Sequence, residues 1–327
     1  MSESAEYRHG IYSNAFVRRI ARLLDATPHP LVACEVAPRY VAAAHWKRGT
    51  FGLNDFAVAE IPAGSVKPSA VETNLVDAAV VRQAVESVFQ QIGVKSQPVA
   101  LFVPDEVIRV FVLHFDVFPR AASEAIPMLR WRLKKSVPFE AEETLISYMR
   151  QAPRDEGVDI LTSLARLRIV KEYEGLLESS GVTAGVLLSS TLATIPLLRD
   201  DRPTMLARLS GTTLTTVIAR EGVLAGYRCT DLSAELDTLQ PQVLLDELFP
   251  VATYYQDAWS EGINSVRLSG FGDRLNEFRA PLESELHCEV SGLLNAAQSE
   301  GRLNSDNQRL ADSELDSLIG WSMNRGA

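Results

Sequence analysis

The segment Ser265-Val-Arg-Leu-Ser-Gly-Phe-Gly272 runs from an extended apolar stretch into two glycines and then an amphipathic stretch. Gly270 and Gly272 let the backbone turn tightly and leave room for a flat ligand. Phe271 stands where such a turn would favour a third small residue. Two earlier segments read as copies of one strand-turn-strand unit, so a glycine-flanked strand end after both predicts a two-lobed, nucleotide-type cleft. Other chemistry finds no support in the residues. The five histidines, His9, His29, His45, His114 and His287, show no ligand spacing and no zinc pattern with a cysteine or acid. There is no Gly-x-Ser-x-Gly elbow, Walker loop or Rossmann glycine fingerprint, which removes nucleophilic hydrolase and dinucleotide readings.

A chain of 327 residues, 46% of them hydrophobic, can fill two lobes of roughly 150 residues each. Its formal charge of -10 argues against a nucleic-acid binder. Cys34, Cys229 and Cys288 are widely spaced, odd in number and set in apolar contexts, so they read as buried thiols in a reducing cytosol. No stretch approaches about 20 apolar residues and no signal pattern opens the chain, so a membrane span is not expected and any membrane link runs through a partner.

Residues 1–30 form a polar tail with one amphipathic stretch, Phe16 to Leu24, read either as a short helix docked on the body or as an interfacial helix. Leu31 to Cys34, Tyr40 to Trp46 and Phe56 to Ile61 read as three strands, followed by a helix from Val76 to Ile92 closed by Gly93 and a buried parallel strand at Val99 to Val103. Residues 105–180 predict an α+β subdomain inserted in this first lobe: strands at Val107 to Phe118 and Val158 to Leu167, helices at Ser123 to Lys135 and Val170 to Ser179. The first lobe covers 31–200, with Arg199 to Pro203 as linker, and the second covers 201–327. That second lobe repeats the first, with strands at Met205 to Leu209, Leu214 to Ala219 and Val223 to Tyr227. Helices at Pro241 to Ser260 and Asn276 to Leu286 flank the strand Ser265 to Leu268. A polar loop follows at Gln298 to Asn307, and the last helix runs from Ser313 to Met323.

In this order the chain resembles the PilM family, actin-like proteins of type IV pilus assembly, and more distantly FtsA and the cytoplasmic part of type II secretion L proteins. The resemblance covers about residues 31–325. It is carried by the repeated three-strand units, the run Arg130-Trp-Arg-Leu-Lys-Lys-Ser-Val-Pro-Phe139 followed by Glu140, Glu142 and Glu143, the turn Leu268-Ser-Gly-Phe-Gly272, and the terminal Leu318-Ile-Gly-Trp-Ser-Met323. It implies an α/β, bilobed actin-like (ribonuclease H-like) fold with the inserted α+β subdomain in the first lobe.

It also implies which residues would face a nucleotide. In such folds the first hairpin of each lobe clamps phosphates through backbone N–H groups, and an acid on the preceding strand acts through Mg²⁺. Here Glu35 supplies an acid, but the turn carries Pro38, which has no N–H, with bulky Arg39 and Tyr40. The second turn, Ser210, Gly211, Thr212 and Thr213, remains suitable, yet the acid position holds Arg208. At the third element Ser269, Gly270 and Gly272 remain while Phe271 fills space an adenine would use. The site therefore reads as vestigial, and ATP with Mg²⁺ is not the expected cofactor. Glu35 and Arg208 hold equivalent positions in lobes that face one another, so they either pair directly across the cleft or solvate separately into an empty one.

The helix bearing Arg130 to Lys135 places Ile126, Leu129, Leu133 and Val137 on one face. It either packs on the subdomain sheet or, through Leu133, Val137, Pro138 and Phe139, borders the groove where PilM-like proteins receive the N-terminal peptide of a membrane partner. The reading is a cytoplasmic scaffold, without catalysis, on a type IV pilus-like inner-membrane platform, bound to a PilN-like single-span protein and to other platform components. The alternatives are an active actin-like ATPase, a type II secretion L subunit and a filament-forming oligomer.

Overall fold

The computed structural model describes residues 29–49, 52–140, 143–153, 157–198 and 201–323. The amphipathic stretch 16–24 and part of the linker at 199–203 lie outside them. Strand β1 (Val32–Val36) is buried along its whole length, as is most of β4 (Pro98–Val103). Such unbroken apolar runs belong in the middle of a parallel sheet covered on both faces. The first sheet has the order β3-β2-β1-β4-β8, in which β2 (Tyr40–Trp46) and β3 (Leu53–Glu60) form the hairpin arm and β8 (Thr183–Ser189) is the far edge. Helix α1 (Ala78–Gln91) buries Val81, Ala84, Val85, Val88 and Phe89; Asp77 caps its start by accepting from the Val80 N–H, and Gly93 turns the chain out at φ 65°.

The second sheet repeats this topology as β11-β10-β9-β12-β13. Its members are β9 (Thr204–Ser210), β10 (Thr213–Arg220), β11 (Val223–Asp231), β12 (Ser265–Ser269) and β13 (Glu289–Gly292). The internal repeat expected from sequence is thus a repeat of sheet order, with the β1–β4 and β9–β12 pairs both parallel. Between β4 and β8 lies a separate antiparallel sheet, β5-β7-β6, made of β5 (Arg109–Phe115), β6 (Thr144–Pro153) and β7 (Val158–Arg166). Helix α2 (Ala122–Leu133) covers one face through Ala125, Leu129 and Leu133. Helix α3 (Leu167–Glu174) follows β7, and the short α4 (Ser190–Thr194) follows β8.

The structure corrects the reading in the last third. Helix α5 (Pro241–Trp259) and α6 (Leu275–Leu286) stand where expected, but the supposed polar loop 298–307 is helical at both ends: α7 (Leu293–Ser299) and α8 (Ser305–Ala311) leave a link of five residues, and Asn304 caps α8 from the Asn307 N–H. Strand β6 also lies where the sequence suggested only connection. The segment after β13 also reaches the first lobe. Leu293, Ala297, Leu310, Leu315, Leu318, Ile319 and Trp321 join a cluster that holds most of the first-lobe core together with Leu206, Val217, Ala219 and Leu224 of the second. Helix α9 (Asp316–Met323) is buried nearly all round, which is what a helix between layers requires. Gly320 permits its approach to α4: a methyl group there would overlap the Ala193 carbonyl oxygen and lie 2.9 Å from the Thr194 Cα. Trp321 is fully buried, edge-on to Phe102 at 5.7 Å between centroids. No helix among the described residues is long and apolar enough to cross a membrane.

Candidate functional site

Arg208, on β9, projects between the lobes. Its guanidinium reaches Glu35 of β1 at 3.1 Å, Asp316 at the start of α9 at 3.3 Å and Asp105, just past β4, at 3.9 Å. All four residues are buried. The direct Glu35–Arg208 pair is therefore formed, and the alternative of two solvated charges in an open cleft is excluded. Burial opposes the charge on Arg208, but Asp316, Glu35 and Asp105 outweigh it and hold its pKa well above the usual guanidinium value.

One cation cannot neutralise three carboxylates, so hydroxyl and amide donors complete the cluster. Glu35 accepts from Tyr40 Oη at 3.1 Å and from Ser317 Oγ at 2.6 Å. Asp316 accepts from Ser269 Oγ and from the Ser317 N–H. Asp105 accepts from the Thr191 N–H at 3.0 Å, Thr191 Oγ1, Thr215 Oγ1 at 2.8 Å and Tyr227 Oη at 3.2 Å. Burial followed by the neighbouring carboxylate raises both tyrosines, by Glu35 for Tyr40 and by Asp105 for Tyr227, so each keeps its proton and donates. Buried charges persist only with such satisfaction. Because Thr191 belongs to the first lobe and Thr215 and Tyr227 to the second, Asp105 ties the lobes as directly as Arg208 does. Cys229, pushed up to about 12 by burial and then Asp105, is an unreactive thiol here.

Several of the expected nucleotide residues lie beside this cluster and are engaged within the protein. The turn holding Ser210, Gly211, Thr212 and Thr213 lies against the first hairpin, where a Cβ on Gly211 would come within 4.0 Å of Pro38 Cγ. Thr213 Oγ1 is bonded to Glu106 and Ser269 Oγ to Asp316. Gly270, at φ 79°, is there because any Cβ would overlap the Leu209 carbonyl oxygen. The room that Gly270 and Gly272 suggested for a flat ligand is thus filled at Gly270 by β9 itself. Phe271 is buried in the second-lobe core, edge-on to Phe278 at 5.0 Å. No three His, Cys, Asp or Glu side chains among the described residues are placed to hold a metal ion.

Sequence reasoning found Glu35 and Arg208 but missed Asp105 and Asp316. The available signal was a buried strand ending in Pro104-Asp105 and an acid opening an apolar terminal helix.

The Glu106 carboxyl, beside the cluster, is raised from its ordinary value by burial, more than its hydrogen bond from Thr213 lowers it. A folded pKa above the unfolded one, about 4.3, gives stability that is complete below the unfolded value and lost as pH rises through the folded value. Glu106→Gln should therefore gain stability relative to the parent as pH is raised from 4 to 7. Chemical denaturation at both pH values reads this directly, and an unchanged difference would contradict it.

The second candidate surface also shifts. Leu133 and Val137 are buried against Leu164 in the subdomain core, Phe139 packs beside them under Arg166 at 5.9 Å, and only Pro138 is exposed. The apolar spacing of Leu133 and Val137 serves packing within the subdomain. A groove of about 390 Å³ lies on the opposite face of the subdomain sheet, lined by Met149, Leu161 and Ala165 on one side and by Ala184 to Leu188 of edge strand β8 on the other.

No protein-family model matches the chain, and no curated protein does. Among solved structures, a chain of the PilM–PilN type IV pilus biogenesis complex aligns over 91% of this chain and 99% of its own, with 16% identity and a TM-score of 0.71. A Bacteroides thetaiotaomicron protein described as having an actin-like ATPase fold aligns over 88% and 98%, with 10% identity and a TM-score of 0.50. The chain has the actin-like fold. The cytoplasmic domain of EpsL, an inner-membrane component of the Vibrio cholerae type II secretion system, aligns over 72% and 80%, with 10% identity and a TM-score of 0.46. Within the actin-like architecture, the cluster at Arg208 stands where the two lobes meet and the groove stands at the inserted subdomain.

Proposed function

We propose that this actin-like protein is a non-catalytic scaffold of a type IV pilus-like inner-membrane assembly platform, and that it receives the cytoplasmic N-terminal tail of a PilN-like single-span protein. The observation that carries the reading is the sealed cleft: Arg208, Glu35, Asp105 and Asp316 bridge the lobes themselves, and Pro38 meets Gly211 where phosphates would pass. A nucleotide would have to displace a satisfied, buried charge network, whereas the groove beside β8 is open. Its exposed strand edge suits an extended peptide pairing by β-augmentation, with apolar side chains packing over Met149 and Leu161. The likeness to a chain of the PilM–PilN complex supports the choice of partner. The chain's work on this reading is adaptor work, coupling a membrane protein to cytoplasmic components.

Calorimetric titration with ATP and Mg²⁺, beside titration with a synthetic peptide of the PilN-like tail, tests it. Peptide binding without nucleotide binding is expected, and Val186→Arg in the groove should weaken the peptide at least tenfold, about the loss of one buried apolar contact. Micromolar ATP binding would overturn the sealed-cleft reading. Peptide binding unaffected by Val186→Arg would remove the groove as the docking site.

A further inference from the structure

Helix α2 carries a surface that its packing does not explain. One side, Ala125, Leu129 and Leu133, is buried, while Trp131 on the opposite side is 77% exposed. Two of the other three tryptophans, Trp46 and Trp321, are buried, and Trp259 is half-buried. Arg132, Lys134 and Lys135 are exposed beside Trp131, Arg132 in the last turn of the helix and Lys134 and Lys135 in the turn that closes it. From Pro119 to Phe139 the chain has five basic residues, Arg120, Arg130, Arg132, Lys134 and Lys135, against one acid, Glu124, in a protein of formal charge -10. The nearest following acids are Glu140, which is exposed, Glu142, which lies outside the described residues, and Glu143, which is paired with Arg166 at 2.9 Å. Cations in a last turn complement the helix dipole, which accounts for basic residues there but not for a solvent-facing indole.

We propose that Trp131 with Arg132, Lys134 and Lys135 is a docking surface for an anionic phospholipid bilayer. An indole ring is most stable at the headgroup level, where its body is apolar and its N–H stays wet, and flanking lysines and arginines extend their charges to anionic headgroups. A convex helix face with one projecting aromatic suits a deformable, two-dimensional surface; a peptide ligand needs a groove. The charge sign fits as well: the bulk of the chain is repelled by an anionic leaflet, so the basic face orients it. The groove beside β8 lies across the subdomain sheet from α2. A helix and a sheet together place it roughly 20 Å from the lipid, which about six extended residues of a membrane-anchored tail can span. The lipid contact itself does not depend on that partner.

The test is co-sedimentation of the full chain with vesicles of phosphatidylglycerol and phosphatidylcholine, against vesicles of phosphatidylcholine alone. Retention only by the anionic vesicles is expected, with loss at high salt and a blue shift of tryptophan emission that Trp131→Ala abolishes. Lys134→Gln with Lys135→Gln should weaken partitioning about thirtyfold, since each cation at the surface contributes about a factor of five. These side chains are exposed, so the thermal midpoints of the variants should match the parent, and their lipid binding can be read without a folding change. Equal retention by neutral vesicles would overturn the proposal. So would anionic binding that survives the α2 substitutions, which would place the contact elsewhere on the chain, or retention by an acidic polypeptide with none by vesicles.

Discussion

Replacing Arg208 by methionine is expected to destabilise the protein by about 3–5 kcal/mol, the cost of stripping a buried ion network of one partner while the others remain. Methionine fills most of the volume but leaves Glu35, Asp105 and Asp316 facing one another, with no other cation paired to them among the described residues. At a few degrees per kcal/mol, the thermal midpoint should fall by about 10 °C. The comparison that makes the test sharp is Glu35→Gln. It removes one charge from a cluster already in acidic excess, keeps a hydrogen-bond acceptor for Ser317 and leaves Arg208 paired with Asp316 and Asp105. Arg208→Met should therefore exceed Glu35→Gln severalfold when both are measured by denaturant unfolding. Equal losses would show that the pair acts only by filling space. Small-angle scattering should also detect separated lobes in Arg208→Met and not in Glu35→Gln.

Gly320→Val is the second large expected effect, about 3 kcal/mol, at the upper end of what overpacking a close contact costs. The added carbons would meet backbone, the Ala193 carbonyl and the Thr194 Cα, neither of which can rotate away. Relief requires α9 to withdraw from α4, and α9 carries Asp316 and Ser317 out of the charge cluster with it. The variant should thus lose the interlobe network as well as packing. Its effect should be strongly non-additive with Arg208→Met, because the second change finds the network already broken. Additive losses in the double variant would mean that α9 packing and the cluster are independent.

The architecture was readable because the three-strand unit occurs twice, and equivalent strand positions in a repeat place Glu35 and Arg208 opposite each other. Asp105 and Asp316 were not readable by that route. Each lies where a strand ends or a terminal helix begins, outside the repeated register, and their meeting is made by chain segments some two hundred residues apart. The groove escaped for a different reason. Leu133 and Val137 show helical apolar spacing, and the same spacing serves a core and a docking face alike; only the sheet on which they close, through Leu164, decides between them. Strand β6, whose apolar side chains face both the α2 layer and the groove, lacks the one-sided alternation that marks an outer strand in a sequence.

Gln151, buried at the end of β6, pairs its side-chain amide with the Leu224 backbone on β11, donating to the carbonyl at 2.8 Å and accepting from the N–H at 2.6 Å. In mechanical terms this is a rivet between the inserted subdomain and the second lobe. Tension applied at the groove by a tethered ligand would not load the subdomain's attachment to the first lobe alone. It would divide between that attachment and β11, so the three parts of the molecule would be dragged as one block, and a pull at the subdomain would be felt at the far lobe without any hinge having to move.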